Sequence, residues 1–216
     1  MKAFIFDMDG LMFDTERVFV AAWDYAGEQM GLGKTGYMVM KTLGSNTEEC
    51  NRIWREEFGA DLNIEALWKH TRTFVEDYYS RYTVSAKKGL YDLLTYLKRK
   101  GYKLAVASST KREKVERHLV SANVRQFFDA VIAGDMVEKS KPEPDIYLRA
   151  AEALGEKPED CYALEDSRNG LLSAYNAGCK PIMVPDLWQP DDVVKQFIIG
   201  PFDSLLDVRE WLVERQ

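Results

Sequence analysis

The chain has 216 residues, of which 46% are hydrophobic and 30% charged, and its formal net charge is −6 at pH 7. This hydrophobic content allows the chain to bury a core of its own, so it is not a disordered tail. Charges of both signs are interspersed and no basic face is indicated. The composition therefore argues against nucleic-acid binding and favours a small soluble substrate.

The sequence contains no feature typical of secreted or membrane proteins. Cys50, Cys161 and Cys179 are odd in number and lack CxxC spacing, so neither a disulfide framework nor a zinc site is indicated. Met1 is followed by one lysine and an apolar strand, which is not a signal peptide, and no apolar run approaches the ~20 residues of a membrane-spanning helix. We therefore expect a cytoplasmic protein that contacts no membrane. The pattern does not indicate an oligomeric state.

The chain opens with a short apolar strand, FIF at residues 4–6, and turns acidic directly after it. Side chains alternate between the two faces of a strand, so Asp7 and Asp9 lie on the same side, and Gly10 allows the backbone to turn directly afterwards. Two carboxylates that leave a buried strand together repel each other. A bound cation or a shared proton relieves this repulsion, and the sequence predicts one or the other here.

Residues 16–82 contain no convincing strand, whereas their apolar residues recur at the spacing of an α-helix. One such stripe consists of Ile64, Leu67, Trp68, Thr71, Phe74, Val75 and Tyr78. The spacing predicts three or four helices, and it indicates that the aromatic residues of this region form a hydrophobic core instead of a cofactor box. Those aromatic residues are Trp23, Trp54, Phe58, Trp68 and Phe74.

From Gly89 onward, short apolar strands alternate with amphipathic helices. The strand-like segments are KLAVAS, FDAVIAG, CYALED, PIMVP and FIIG. Alternation of this kind is typical of a doubly wound parallel sheet, so the expected fold class is α/β and Rossmann-like. The expected domains are an α/β core formed by residues 1–15 and 83–216, and a helical cap formed by residues 16–82 and inserted after the first strand.

Polar and charged side chains follow the predicted strands at four places. Open α/β sheets bind ligands beyond the carboxyl ends of their strands. The carboxylates in this set suit Mg²⁺, which prefers carboxylates, waters and phosphate oxygens, whereas the ammonium and hydroxyl groups can hold phosphate oxygens. The residues are Asp7 and Asp9, then Ser108, Ser109 and Thr110 after KLAVA, then Lys141 in KSKPEPD, and finally Glu165 and Asp166 after CYAL.

Each of these motifs also has a simpler interpretation when it is considered alone. An Asp-x-Asp-Gly after a strand is compatible with a solvated turn, and a single lysine is usually solvated. The serine cluster and the pair of Glu165 and Asp166 can each cap the helix that follows. Pro142 and Pro144 restrict the backbone beside Lys141, which favours a fixed role for that side chain. The chemical interpretation therefore depends on all four motifs occurring together in this order.

The motifs DMDGLMFDTE, AVASST, KSKPEPDIY and ALEDSRNG resemble those of the haloacid dehalogenase superfamily, in the subgroup of β-phosphoglucomutase and many small-molecule phosphatases. The resemblance extends over nearly the whole chain. It implies that Asp7 is a covalent nucleophile that also binds Mg²⁺. It implies that Asp9 is the general acid/base and that its backbone carbonyl binds the same ion.

The resemblance also assigns roles to the later motifs. Ser108, with Ser109 beside it, and Lys141 are the expected phosphate-binding residues. Asp166 is expected to complete the Mg²⁺ site together with Glu165. The implied cofactor is therefore Mg²⁺, and the implied partner is a small phosphorylated metabolite.

The cap is expected to determine the substrate and the outcome of the reaction. β-Phosphoglucomutases carry a histidine soon after the first motif and an arginine in the cap, which hold the second phosphate of a bisphosphate intermediate. This sequence has Phe19 and Asn46 at the corresponding positions. We therefore expect hydrolysis of a small phosphomonoester, such as a sugar phosphate, through an aspartyl phosphate on Asp7. A phosphosugar mutase is the alternative, and a non-catalytic phosphate-binding protein agrees less well with an intact Asp9.

Overall fold

A parallel sheet of five strands organises the computed structural model, which describes residues 2–215 except Gly44 and Asn46. The strands are β1 (Ala3–Phe6), β2 (Lys103–Ser108), β3 (Ala130–Ala133), β4 (Cys161–Glu165) and β5 (Lys180–Met183). Their order in the sheet is β3-β2-β1-β4-β5, and every neighbouring pair is parallel. The chain thus adds strands first on one side of β1 and then on the other. The predicted doubly wound α/β fold is confirmed.

Within the part of the chain that the structure describes, five α-helices lie between β1 and β2, three lie between the later strands, and one follows β5. They are α1 (Glu16–Gln29), α2 (Met38–Thr42), α3 (Thr47–Phe58), α4 (Ile64–Arg81), α5 (Leu90–Arg99), α6 (Arg112–Ser121), α7 (Asp145–Leu154), α8 (Arg168–Asn176) and α9 (Leu205–Glu214). Among the described residues, no helix combines the length and the apolar character needed to cross a membrane.

Both faces of the sheet are covered, because the side chains of β1 alternate between two cores. Phe4 and Phe6 belong to a core that includes residues of α5, α6 and α9, whereas Ala3 and Ile5 belong to a core that includes residues of α7 and α8. All four side chains are fully buried. Burying one large apolar side chain contributes about 1.5–3 kcal/mol, so this central strand is held firmly between two layers.

The helical cap, α1 to α4, has a hydrophobic core of its own. This cap cluster consists of Trp23, Ala26, Met38, Val39, Cys50, Trp54 and Leu67, all buried. Trp23 and Trp54 meet edge to face with their ring centroids 5.2 Å apart. Leu67 and Thr71, on the predicted stripe of α4, are buried while α4 packs along α1. The aromatic residues of this region therefore pack against one another, as their spacing indicated.

Two chain segments connect the cap to the α/β core, and they lie side by side. We call residues 12–15 the first connector and residues 83–87 the second. Phe13 and Ala86 form an antiparallel bridge between them. Asp14 N–H donates to Ser85 O and Lys87 N–H donates to Met12 O, both at 2.9 Å. The predicted domain boundaries lie within or next to these connectors, and the division into two domains remains a prediction.

One predicted strand, FIIG at residues 197–200, is reduced to a single bridge. Ile199 pairs with Ile182, and its N–H donates to Pro181 O at 2.8 Å. Gly200 has a positive φ of 106°, and Pro201 lacks the N–H that a sheet ladder needs. The pairing therefore stops after one residue, although the segment is apolar.

Candidate active site

Three neighbouring strands end at the candidate active site. β1 lies between β2 and β4 and is followed directly by Asp7, whose N–H donates to Leu164 O in β4 at 3.0 Å. β2 ends at Ser108 and β4 ends at Glu165. Because parallel strands end at the same edge, the sheet brings the first, second and fourth sequence motifs together there.

Lys141 lies in the centre of this edge and binds two of its carboxylates. Its Nζ donates to Asp7 Oδ1 at 2.5 Å, to Glu165 Oε1 at 2.6 Å and to Ala107 O at 3.1 Å. The Lys141 side chain is 2% exposed. A buried ammonium with three acceptors is held in one position, so this lysine is not the solvated side chain of the simpler interpretation.

The Glu165 carboxylate is held from several sides by protein donors. Besides Lys141, the hydroxyl of Tyr147 donates to Glu165 Oε1 at 2.6 Å. Ser167 Oγ donates to Glu165 Oε2 at 3.2 Å. A Cβ on Gly170 would lie 2.0 Å from the Glu165 carboxyl carbon, so only glycine leaves room for this carboxylate. Ser167, and not Glu165 or Asp166, caps α8 by accepting from the N–H of Gly170.

Asp7, Glu165 and Asp166 form a cluster that can hold a metal ion. Each is buried, and each offers an oxygen within 4.8 Å of the others. A Cβ on Gly10 would lie 2.2 Å from Asp166 Oδ2, so the turn after β1 has to pass directly over this carboxylate. Asp9 is not in this set of side chains, and its predicted contribution to a metal site through its backbone carbonyl remains a prediction.

The electrostatics of the cluster favour a bound cation. Burial raises the pKa values of Asp7 and Asp166 well above the usual carboxyl range, and neighbouring carboxylates add to the rise. Burial alone would lower the pKa of Lys141, but Asp7 and Glu165 outweigh it and hold that pKa above its ordinary value. Two like charges 4 Å apart repel by about 4 kcal/mol at an effective dielectric constant of about 20. One ammonium cannot offset three carboxylates, and this compact, hard-oxygen set fits Mg²⁺.

Asp9 lies in a different environment, because hydroxyl groups surround its carboxylate. Thr15 Oγ1 donates to Asp9 Oδ1 at 2.8 Å. Thr110 Oγ1 and Ser108 Oγ donate to Asp9 Oδ2 at 2.8 Å and 3.3 Å. The two carboxylates of the first motif therefore differ: Asp7 is paired with a buried ammonium, whereas Asp9 is oriented by neutral donors from two segments.

The hydroxyl cluster after β2 is divided between buried and exposed side chains. Ser108 is fully buried, and its Oγ accepts from Thr110 N–H at 3.1 Å. Ser109 is exposed. A Cβ on Gly134 would lie 2.1 Å from the Ser109 carbonyl oxygen, so the backbone of Gly134 packs closely against this turn. The N-cap of α6 is Lys111, with no side-chain cap bond, so none of these hydroxyls caps the helix. Ser109 thus lies at the rim, and its predicted phosphate contact remains a prediction.

Two side chains of the site, those of Thr15 and Tyr147, were not singled out from the sequence, and Thr110 was named only as one of the hydroxyl groups after KLAVA. Thr15 and Thr110 lie within the quoted motifs, and that position was the available signal for their hydroxyl groups. Tyr147 lies in α7, and no local pattern reveals that its hydroxyl reaches Glu165. The fold alone brings these two residues together.

The cap has an apolar side chain at the position that corresponds to the mutase histidine. Phe19 packs against the cap cluster, with its ring centroid 6.3 Å from that of Trp23. Asn46, at the position of the expected arginine, lies outside the described residues. Asn169 Nδ2, in α8, reaches Leu43 O in the cap at 3.5 Å. The cap therefore contacts the core beside Glu165 and Asp166.

Comparisons with known proteins agree with this arrangement. Residues 4–184 match the family model of haloacid dehalogenase-like hydrolases. The chain is 35% identical over 205 residues to Protein CbbY of Rhodobacter capsulatus, covering 89% of this chain and 88% of the relative. It is 31% identical over 182 residues to the phosphorylated carbohydrates phosphatase of Thermotoga maritima, covering 84% of each chain. A crystal structure of mutant CbbY from Rhodobacter sphaeroides, in complex with xylulose-(1,5)bisphosphate, matches with a TM-score of 0.79, 29% identity and 96% coverage of both chains.

The fold is a parallel α/β sheet with a helical cap. An acidic cluster and a buried lysine lie at the edge where the carboxyl ends of the strands meet. These features define a phosphohydrolase of the capped Rossmann-like class. The chain belongs to the haloacid dehalogenase-like hydrolase family, in the subgroup that contains β-phosphoglucomutase-like phosphatases.

Proposed function

We propose that the chain is a Mg²⁺-dependent phosphatase that hydrolyses a small phosphomonoester, such as a sugar phosphate, through an aspartyl phosphate on Asp7. The observation that carries this proposal is the contrast between the two carboxylates of the first motif. Asp7 is buried beside Lys141 and belongs to the candidate metal cluster, whereas Asp9 is held by three hydroxyl groups. One carboxylate is thus suited to attack, and the other is suited to proton transfer.

In the first step, an Asp7 oxygen attacks phosphorus and the bond from phosphorus to the ester oxygen breaks. Lys141 pairs with Oδ1, which leaves Oδ2 for the attack. Asp9, in its protonated form, gives its proton to the departing alkoxide, so the product leaves as an alcohol. The hydroxyls of Thr15 and Thr110 fix the direction in which the Asp9 carboxyl points.

In the second step, a water molecule attacks the phosphorus of the aspartyl phosphate. Asp9, now a carboxylate, accepts the proton of that water, and the bond from phosphorus to Asp7 breaks to release inorganic phosphate. Asp7, Asp166 and the backbone carbonyl of Asp9 would hold Mg²⁺, with Glu165 next to them. When bound, Mg²⁺ supplies positive charge that offsets the charge of the phosphate oxygens. Lys141 keeps Asp7 and Glu165 in place throughout.

The names of the relatives support a phosphorylated carbohydrate as the substrate. One relative is named a phosphorylated carbohydrates phosphatase, and a solved structure of another holds xylulose-(1,5)bisphosphate. The cap also contacts the core beside the site, since Asn169 Nδ2 in α8 lies 3.5 Å from Leu43 O. A cap in this position agrees with a small substrate better than with a polymer.

The first prediction tests the proposed nucleophile. Asp7→Asn keeps the shape of the side chain but removes the attacking oxygen, so kcat for p-nitrophenyl phosphate with Mg²⁺ should fall roughly a thousandfold or more. Circular dichroism should show an intact fold. Asp192→Asn is the control, because that carboxylate is 99% exposed and pairs only with Lys195 among the contacts of the structure. A folded Asp7→Asn with wild-type turnover contradicts the covalent mechanism. Separately, turnover of a panel of phosphorylated metabolites by the wild-type protein identifies the substrate class.

A further inference from the structure

A short segment beyond the last strand contacts the cap from the side of the sheet. We call residues 184–188 the β5 loop. It begins where Val184 N–H donates to Glu165 O at 2.9 Å, and its Leu187 packs against the cap cluster. The β5 loop therefore joins the strand end that carries the candidate site to the helices that cover it.

Asp186, in the β5 loop, is a buried carboxylate that binds cations from two other segments. Its side chain is 2% exposed. Lys87 Nζ lies 2.7 Å from Asp186 Oδ1, and Arg17 Nη2 lies 3.7 Å from the same oxygen. Within residues 2–215, Gly44 and Asn46 aside, Asp186 Oδ2 has no hydrogen-bond partner. A buried charge needs partners that offset its loss of water, so Lys87 and Arg17 determine where Asp186 can lie.

These two cations belong to the two places where the chain passes between core and cap. Arg17 lies in the first turn of α1, directly after the first connector, and its Nε is 3.1 Å from Asp14 Oδ1. Lys87 lies in the second connector, and its N–H donates to Met12 O in the first. One carboxylate of the α/β core thus contacts both crossings, at the point where the connectors already pair with each other.

We propose that Asp186 is a positioning residue that fixes the orientation of the cap over Asp7 and Asp9 by binding Lys87 and Arg17 together. Rotation of a cap is absorbed by a few connector residues, and a contact that holds both connectors limits this rotation directly. Leu187, the next residue, adds an apolar contact on the cap side. The catalytic consequence rests on the proposed phosphatase function, whereas the mechanical consequence does not.

Amide hydrogen exchange of the connectors tests the mechanical part in the protein without substrate. In Asp186→Asn the shape is kept but the charge is lost, so the amides of Asp14 and Lys87 should exchange about tenfold faster while the amides of β1 keep their rates. Lys87→Met should also accelerate these amides, but by no more than Asp186→Asn because Arg17 still contacts the carboxylate. The double variant should exchange no faster than Asp186→Asn alone. Asp192→Asn, from the same region beyond β5, is the matched control and should leave both amides at the wild-type rate.

Unchanged connector exchange in folded Asp186→Asn overturns the proposal, and so does additive acceleration in the double variant. If Asp186→Asn does not fold, Lys87→Met alone decides the matter by the same measurement. With p-nitrophenyl phosphate and Mg²⁺, the proposal further predicts that Asp186→Asn raises KM about fivefold or more and changes kcat less than twofold, since the groups that touch substrate are intact. Absence of turnover in the wild-type protein contradicts the phosphatase proposal but leaves the exchange result to decide the role of Asp186.

Discussion

Asp9 accepts hydrogen bonds from three hydroxyl groups, and these groups come from separate parts of the sequence. Thr15 lies just before α1, whereas Ser108 and Thr110 follow β2. Hydrogen bonds to a carboxylate contribute about 1.5–3 kcal/mol each, and they also restrict its rotation. A general acid/base has to meet the ester oxygen within hydrogen-bond distance, so in the proposed mechanism these donors direct the Asp9 carboxyl toward that oxygen.

The Thr110 hydroxyl offers a direct test of this orientation. Thr110→Val removes the 2.8 Å bond to Asp9 Oδ2 and leaves the longer bond from Ser108 on that oxygen. We expect kcat to fall about tenfold with KM changed less than twofold, because only the position of Asp9 is affected. Thr110→Ser keeps the hydroxyl and should retain most of the wild-type kcat. Equal turnover of the valine and serine variants contradicts an orienting role for this hydroxyl.

At the scale of elements, the start of α1 departs from the usual rules for helix termini. Thr15 is the N-cap residue, but its backbone is already in the α-helical region and its side chain makes no cap hydrogen bond; its hydroxyl donates to Asp9. A threonine cap typically contributes about 1 kcal/mol to helix stability. Glu16 follows in the first turn, where burial and the carboxylates of Asp9, Asp186 and Asp14 raise its pKa from 4.5 to about 8. The helix start thus serves the candidate site at some expense to its own stability.

The raised pKa of Glu16 predicts a pH dependence of stability in the metal-free protein. Between about pH 4.5 and 8 the folded state binds more protons at Glu16 than the unfolded state, so the free energy of unfolding falls as the pH rises. For one group the slope is at most about 1.4 kcal/mol per pH unit. Glu16→Gln removes this contribution. The free energy of unfolding of Glu16→Gln minus that of wild type should therefore be more positive at pH 8 than at pH 5.

Urea unfolding with EDTA at both pH values provides the measurement for Glu16. Asp7 and Asp166 have raised pKa values of the same sign, so the informative quantity is the difference between wild type and variant. Glu28→Gln, an exposed position in the same helix, is the control and should follow the wild-type pH dependence. The interpretation is wrong if Glu16→Gln and wild type lose stability in parallel from pH 5 to pH 8.

The sequence predicted elements more completely than it predicted contacts between them. KLAVAS coincides with β2 because an apolar run between helices has few alternatives in an α/β chain. FIIG has the same apolar character, yet Gly200 and Pro201 end its pairing after one bridge. Asp7, Ser108 and Glu165 were predicted at one edge because parallel strands place their carboxyl ends on the same side of the sheet, and Lys141 reaches this edge from the segment after β3.

The contacts that were missed depend on side chains that meet only in the folded chain. Tyr147 reaches Glu165 from α7, and Asp186 reaches Lys87 across a separation of 99 residues. Asp186 lies outside the quoted motifs, and Tyr147 ends the motif KSKPEPDIY, where nothing in the sequence indicates a partner for its hydroxyl. Periodicity predicts which face of an element is buried, but it does not predict which polar groups of two elements face each other.

At the scale of the whole molecule, we expect the cap to decide between hydrolysis and isomerisation. A mutase has to hold the second phosphate of a bisphosphate inside the closed site, and a buried phosphate needs a cationic partner. Phe19 packs against the cap cluster and offers no donor. Three cations of the cap already have acidic partners. Arg17 pairs with Asp14 and Asp186, and Lys41 pairs with Glu57. Arg52 pairs with Glu49 and Glu56. Two further cap cations, Lys34 and Arg55, are exposed.

This distribution of charge leads to the last prediction. β-Glucose 1-phosphate is supplied with catalytic glucose 1,6-bisphosphate and Mg²⁺, and it should at best be hydrolysed to glucose and inorganic phosphate. Among the described residues, the cap offers no unpaired buried cation that could retain a bisphosphate. Phosphate release and glucose 6-phosphate formation are followed in the same reaction, with Asp7→Asn as the inactive control. Glucose 6-phosphate accumulating faster than phosphate overturns the hydrolase assignment. Lys34→Met and Arg55→Met then show which exposed cap cation turns inward to hold the second phosphate, since loss of that cation should leave hydrolysis and abolish isomerisation.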